Sequence, residues 1–191
     1  MRVLYRGIAL LLFAGACRPS QPDRAQQTTQ QTVTTAAPAQ DTFAGTTATL
    51  SRPAPAPSPP GGWLLHAVRT DSQPGYDRVV FEFAGDSLPG YHIEYATRPV
   101  VRCGSGDPVA VSGGGRLVVR FEPARAHDDQ GNAAVAPLPR AMAPRLPAVK
   151  ELQLVCDFEG QVEWVLGVAA TAPYRVTEAP PRLMLDVRHG P

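Results

Sequence analysis

The side chains able to do chemistry in this 191-residue chain are spread along it rather than clustered. Its four histidines, His66, His92, His127 and His189, show no His-x-His or His-x-x-x-His spacing, which would set two metal ligands together. No Gly-x-Ser-x-Gly elbow presents a serine nucleophile. Gly104-Ser105-Gly106 and Gly113-Gly114-Gly115 are glycine-rich, yet neither carries the lysine of a phosphate loop, and both read as hairpin turns. His127-Asp128-Asp129-Gln130-Gly131-Asn132 offers oxygen donors that suit Ca²⁺. Without the alternating spacing of a calcium loop, it reads as a solvated turn. Glu82, Glu94, Glu159, Glu163 and Asp186 would serve glycoside hydrolysis only if folding brought two of them together. Alternating polar positions on a wet sheet face explain them equally well. The residues point away from an enzyme, and no metal or other cofactor is implied.

A binding role leaves a different set of candidates. Arg78-Val-Val-Phe-Glu-Phe83 and Arg182-Leu-Met-Leu-Asp-Val187 share an order: arginine, three apolar residues, an acid, an apolar residue. In an extended strand the arginine and the acid, four apart, lie on one face. The echo is consistent with two related half-sheets and equally with coincidence. Tyr76, Asp77, Arg78 and Arg182 are the exposed candidates for a glycan ligand, which aromatic faces and planar polar groups recognise. Arg78 and Arg182 could instead pair with Glu82 and Asp186, contacts worth about 0–1 kcal/mol on a surface.

These residues are carried by a chain with three textures. Residues 1–16 read as a signal peptide: Arg2 and Arg6, a short apolar run from Gly7 to Ala14, then Ala14-Gly15-Ala16-Cys17. The run is far shorter than the ~20 residues of a membrane span. Two readings of the cut before Cys17 compete, an ordinary signal peptidase site and a lipobox. Ala14 stands where a lipobox usually has leucine. The cysteine at this place favours a lipid anchor at Cys17 on the outer face of the cell membrane; the alternative is a secreted protein. Residues 17–62 are rich in Gln, Thr, Ala and Pro and nearly free of large apolar side chains, so they read as a disordered tether. About 43 such residues span roughly 35 Å.

From residue 63 to 191 the texture becomes short runs of period two, bounded by Gly, Pro and Asp. Val79/Phe81/Phe83, Tyr91/Ile93/Tyr95, Leu117/Val119/Phe121, Leu152/Leu154/Cys156/Phe158, Val162/Trp164/Leu166 and Leu183/Leu185/Val187 each set apolar or aromatic residues two apart, on one face of a strand. Trp63 opens a first strand, Gln73-Pro74-Gly75 turns it, and Glu159-Gly160-Gln161 closes a tight hairpin. Residues 124–147 break the pattern and read as a long loop. Eight or nine strands without an amphipathic helix make an all-β sandwich or partly open barrel. With Cys17 set aside, Cys103 and Cys156 remain as a disulfide pair closing a loop of about 50 residues. From Gly61 onward 13 Lys+Arg stand against 15 Asp+Glu, which gives no footprint for nucleic acid.

The chain resembles the AMIN-like domain of actinobacterial and related exported lipoproteins, a relative of the AMIN domain. The resemblance rests on Tyr76-Asp-Arg-Val-Val-Phe-Glu-Phe83, Pro89-Gly-Tyr91, Glu94-Tyr95, Asp157-Phe-Glu-Gly160, Trp164-Val-Leu-Gly167, Tyr174-Arg-Val176 and Pro181-Arg-Leu-Met-Leu-Asp-Val187, in that order. It implies a small β-sandwich of two sheets. AMIN domains proper accompany cell-wall amidases and outer-membrane secretins, where they localise the host protein and can bind peptidoglycan. The resemblance therefore implies a non-catalytic module that contacts peptidoglycan or another envelope glycan. An envelope protein scaffold without glycan affinity is the alternative.

Overall fold

The computed structural model describes residues 43–134 and 140–190. The expected signal peptide, Cys17 and most of the expected tether lie outside these residues. Eleven strands form two sheets: β1 (Leu50–Arg52), β2 (Trp63–Gln73), β3 (Tyr76–Phe83), β4 (Gly90–Tyr95), β5 (Gly115–Glu122), β6 (Ala124–Arg125), β7 (Ala141–Met142), β8 (Val149–Phe158), β9 (Gln161–Val168), β10 (Tyr174–Ala179) and β11 (Arg182–Arg188). One sheet has the order β1-β4-β5-β9-β8-β7 and the other β10-β11-β3-β2-β6. Among the described residues all strand pairs are antiparallel except β2 with β6. The fold is the sandwich.

Period-two alternation puts one face of each sheet into a shared core. Val79, Phe81 and Phe83 of β3 are fully buried, as are Leu117, Val119 and Phe121 of β5 and Leu183, Leu185 and Val187 of β11. Phe121 meets Phe81 and Phe83 edge-on, both at 5.0 Å between centroids. Such pairs add about 0.5–1.5 kcal/mol each beyond the area they bury. The hairpin β8–β9 closes through Glu159 and Gly160, both at positive φ (50° and 80°), as a two-residue turn matched to strand twist requires.

The six-stranded sheet is also covered on its outer face. Residues 96–114 fold back across it, placing Val100, Val109 and Val111 against Val118, Val155 and Val165. The covering segment lies so close that a Cβ on Gly167 would stand 2.1 Å from the Ser112 carbonyl oxygen. Trp164-Val-Leu-Gly-Val168 is therefore an unbroken apolar run, because this part of β9 is covered on both faces. The tip of the segment is pinned where Cys103 and Cys156 are joined, their Cα atoms 5.1 Å apart.

Three expectations need correction. Alternation put Cys156 and Phe158 on the apolar face with Leu154. A β-bulge between Leu154 and Cys156 shifts the register, pairing Cys156 with Glu163 and Phe158 with Gln161. One extra residue sends every later side chain to the opposite face. Cys156 thus meets the covering segment outside, Phe158 is 59 % exposed, and Asp157 turns inward to accept bonds from the Ala126 N–H and the His127 ring. Second, the stretch assigned to the tether contains β1, which pairs with β4 from Leu50↔Ile93 to Arg52↔Tyr91. Tyr174 holds this segment down. Its hydroxyl has the carbonyls of Ala48 (2.7 Å) and Ile93 (3.0 Å) within reach of its single proton, and burial pushes its pKa up to about 12. Third, the long loop at 124–147 contains the short strands β6 and β7; residues 135–139 lie outside the described set.

Candidate functional site

The candidate residues Tyr76, Arg78 and Arg182 stand on the outer face of the five-stranded sheet, and strand register decides their neighbours. Across β10, β11, β3 and β2, one row reads Arg175, Asp186, Arg78, Asp71. Another reads Ala179, Arg182, Glu82, Ala67. The repeated arginine-to-acid spacing in β3 and β11 therefore serves reciprocal cross-strand pairs. Because the strands are antiparallel neighbours, Arg78 faces Asp186 and Arg182 faces Glu82. The pairing within each strand, Arg78 with Glu82 and Arg182 with Asp186, does not occur.

The first row is the denser. Arg78 holds Asp186 with two bonds, Nε to Oδ1 at 2.7 Å and Nη2 to Oδ2 at 2.9 Å, and Arg175 Nε reaches Oδ2 at 2.8 Å. The Asp186 side chain is 1 % exposed, so two guanidinium groups share one desolvated carboxylate. That carboxylate raises the Arg78 pKa. The Arg175 guanidinium lies 4.6 Å from the Phe43 ring centroid and 4.8 Å from that of Tyr76, a cation between two aromatic faces. In the second row Glu82 takes both Arg69 and Arg182, and hydrogen bonding from Arg69 holds its carboxyl below the usual range. Each acid thus carries two arginines. Asp71 and Arg188 on the same face balance each other, so this face holds two surplus positive charges on a domain whose formal balance is negative.

Asp77, counted among the exposed candidates, is buried. Its neighbours in β3 face outward, so Asp77 points into the sandwich, where its Oδ2 accepts the N–H groups of Ala148 (2.6 Å) and Val149 (2.8 Å). Oδ1 accepts from the Ser72 hydroxyl at 2.9 Å and lies 2.7 Å from His189 Nε2. Burial alone would raise its pKa; the bonds from Val149, His189, Ala148 and Ser72 outweigh burial and leave it below the ordinary value. Asp77 fastens the start of β8 and the end of the chain to β3. His189 and Arg188 border a cleft of about 440 Å³ whose lining includes Ala148, Ala169, Ala170 and Ala172.

Among the described residues the other polar groups stand in separate pairs and loops. Ser51 Oγ lies 2.7 Å from His92 Nδ1, and His92 Nε2 lies 3.4 Å from Glu94. The order is that of a hydrolase triad, but Glu94 is 44 % exposed, and water competes for every bond. Glu163 pairs with Arg120 at 2.7 Å. Glu82 and Asp186, on the five-stranded sheet, are each held by two arginines, whereas Glu94 and Glu163 belong to the six-stranded sheet. Asp128 turns its carboxylate onto the Gln130 and Asn132 N–H groups of its own loop. Among the described residues no three His, Cys, Asp or Glu side chains group as metal ligands would.

Sequence reasoning missed Phe43 and Arg175. Phe43 is a lone aromatic in a segment of small and polar residues, a signal of docking. Arg175 is the outward residue between Tyr174 and Val176.

A family model of the AMIN-like domain matches residues 63–189. The chain belongs to the AMIN-like domain family. No curated protein and no solved structure matches it. AMIN-like domains are typically non-catalytic and cell-wall-associated, which makes this an extracytoplasmic envelope protein. The AMIN-like match begins at Trp63, whereas the folded unit also takes in β1 and Phe43.

Proposed function

We propose that the AMIN-like domain holds an exported lipoprotein to the cell wall by binding anionic groups of peptidoglycan or another envelope glycan on the outer face of β10-β11-β3-β2. The observation that carries this reading is the surplus of guanidinium groups beside the Tyr76 ring. Two acids and four arginines leave charge for a ligand carboxylate or phosphate, and an aromatic face beside them suits a sugar ring. Tyr76, Arg78, Arg175 and Arg182 are the residues proposed to make contact; Asp77 is withdrawn from the set. Arg78 and Arg175 also hold buried Asp186, so the test uses Tyr76→Ala and Arg182→Glu. The bound fraction in sedimentation with purified wall should fall about tenfold for the first and about fivefold for the second. It should also fall as salt is raised. A domain that stays in the supernatant with wall material at low salt refutes the reading. One dominant protein crosslinked in cells, with no wall affinity, would favour the scaffold instead.

In this reading residues 1–16 are removed, Cys17 carries the lipid, and the tether lets the domain reach into the wall layer. The intact mass of protein from its native membrane should show cleavage before Cys17 and a diacylglycerol addition there. Cleavage without lipid would mean a secreted protein.

A further inference from the structure

β2 is the longest strand, at 11 residues, and most of one edge is open. β6 pairs with it only at Trp63 and Leu64. Among the described residues no backbone group bonds to that edge from residue 66 to 73. Backbone bonds elsewhere in the sheet establish which groups face out. Tyr174 exchanges both backbone bonds with Thr46, away from β11, and Arg188 N–H meets the Pro173 carbonyl. Antiparallel ladders alternate. Carried through the registers of β10, β11, β3 and β2, this alternation directs the N–H and C=O of Val68, Thr70 and Ser72 away from β3. Three donors and three acceptors therefore stand in a row with no partner strand.

We propose that this edge pairs with the β2 edge of a second copy, antiparallel about a two-fold axis at Thr70. The side chains select both the partner and the register. With Thr70 opposite Thr70 of the second copy, Arg69 lies opposite the second copy's Asp71, and Asp71 opposite its Arg69. Both pairs are on the outer face, where Arg69 is 60 % exposed and Asp71 is exposed. Centring on residue 69 or 71 would set like charges against each other, which is unfavourable in a ladder. The pattern +, Thr, − is self-complementary, as a two-fold interface demands. Such an edge would otherwise invite uncontrolled pairing. The dimer joins two five-stranded sheets into one of ten and sets both arginine-rich faces on the same side. It stands whatever that face binds.

The test uses the full chain with Cys17→Ser, which removes a thiol that could crosslink copies by itself. Thr70→Cys places two sulfurs across the axis, with Cα atoms about 5.5 Å apart, within disulfide reach. Ser72→Cys, at an exposed position, would stand about 14 Å from its equivalent. Mild oxidation should give at least about tenfold more covalent dimer at 70 than at 72. In sedimentation equilibrium Arg69→Asp should lower the association constant about tenfold. The exchange variant Arg69→Asp/Asp71→Arg should restore it to within about threefold. A chain that stays monomeric at all concentrations, equal crosslinking at both positions, or an exchange variant no better than Arg69→Asp overturns the proposal. So does an unrelated protein occupying the edge in place of a second copy.

Discussion

The Cys103→Ala/Cys156→Ala variant is expected to lose about 4 kcal/mol of unfolding free energy while keeping its two sheets. The two cysteines are 53 residues apart, so the bond closes a long loop and removes many conformations from the unfolded chain. At about 3 °C per kcal/mol for a domain of this size, the midpoint should drop by roughly 12 °C. The sheets persist because the loss falls on the unfolded state. The covering segment keeps its native bonds, including Cys103 N–H to the Val155 carbonyl at 3.1 Å and Ser112 N–H to Glu151 at 2.9 Å. Its Val100, Val109 and Val111 keep their apolar contacts. Hydrogen exchange of the slowest amides in β3 and β5, which open only with global unfolding, should therefore speed by the full loss in stability. Urea melts of oxidised wild type and variant measure the first effect. A loss under about 1 kcal/mol, or collapse of the whole sheet, would refute the assignment of the bond as a clamp on an otherwise intact sandwich.

Asp77→Ala is expected to cost about 3 kcal/mol, a large effect for one residue away from any ligand. The variant removes the acceptor for the buried backbone donors of Ala148 and Val149, and it frees His189 and Ser72. The pH dependence follows from the lowered pKa. A carboxyl bound more tightly as the anion in the folded state stabilises fully above its unfolded pKa of about 3.9, and this contribution is lost as pH falls through the folded value. Wild type should therefore lose stability on acidification below about pH 4 more steeply than Asp77→Ala. Chemical denaturation between pH 6 and pH 3, read as the gap between the two proteins, tests this: the gap should narrow in acid. A gap that stays constant would show that Asp77 does not act as a buried anion.

The two effects differ in how visible they were beforehand. The cysteine pair could be read from parity, because three thiols with one assigned to the membrane leave two. The role of Asp77 could not. It sits in Tyr76-Asp-Arg78, where its neighbours face solvent, and alternation alone places it opposite them without saying what waits there. The donors it meets are more than 70 residues away, at the start of β8. Cys156 was misplaced for a related reason. Alternation assumes an unbroken register, and the bulge after Leu154 is a property of two strands together. β1, β6 and β7 escaped notice because two or three residues are too few to display a period.

The sequence by itself determined the all-β class, seven of the eight longer strands, the shared apolar core and the family. These depend on local alternation, turn residues and short motifs, each legible within ten residues or so. Only the tertiary structure decided that Arg78 meets Asp186 and Arg182 meets Glu82, that Phe43 and Arg175 join Tyr76, and that one edge of β2 stays open. Those facts depend on register between strands about a hundred residues apart in the chain. Register is chosen by the packing of the whole core, and no local pattern encodes it.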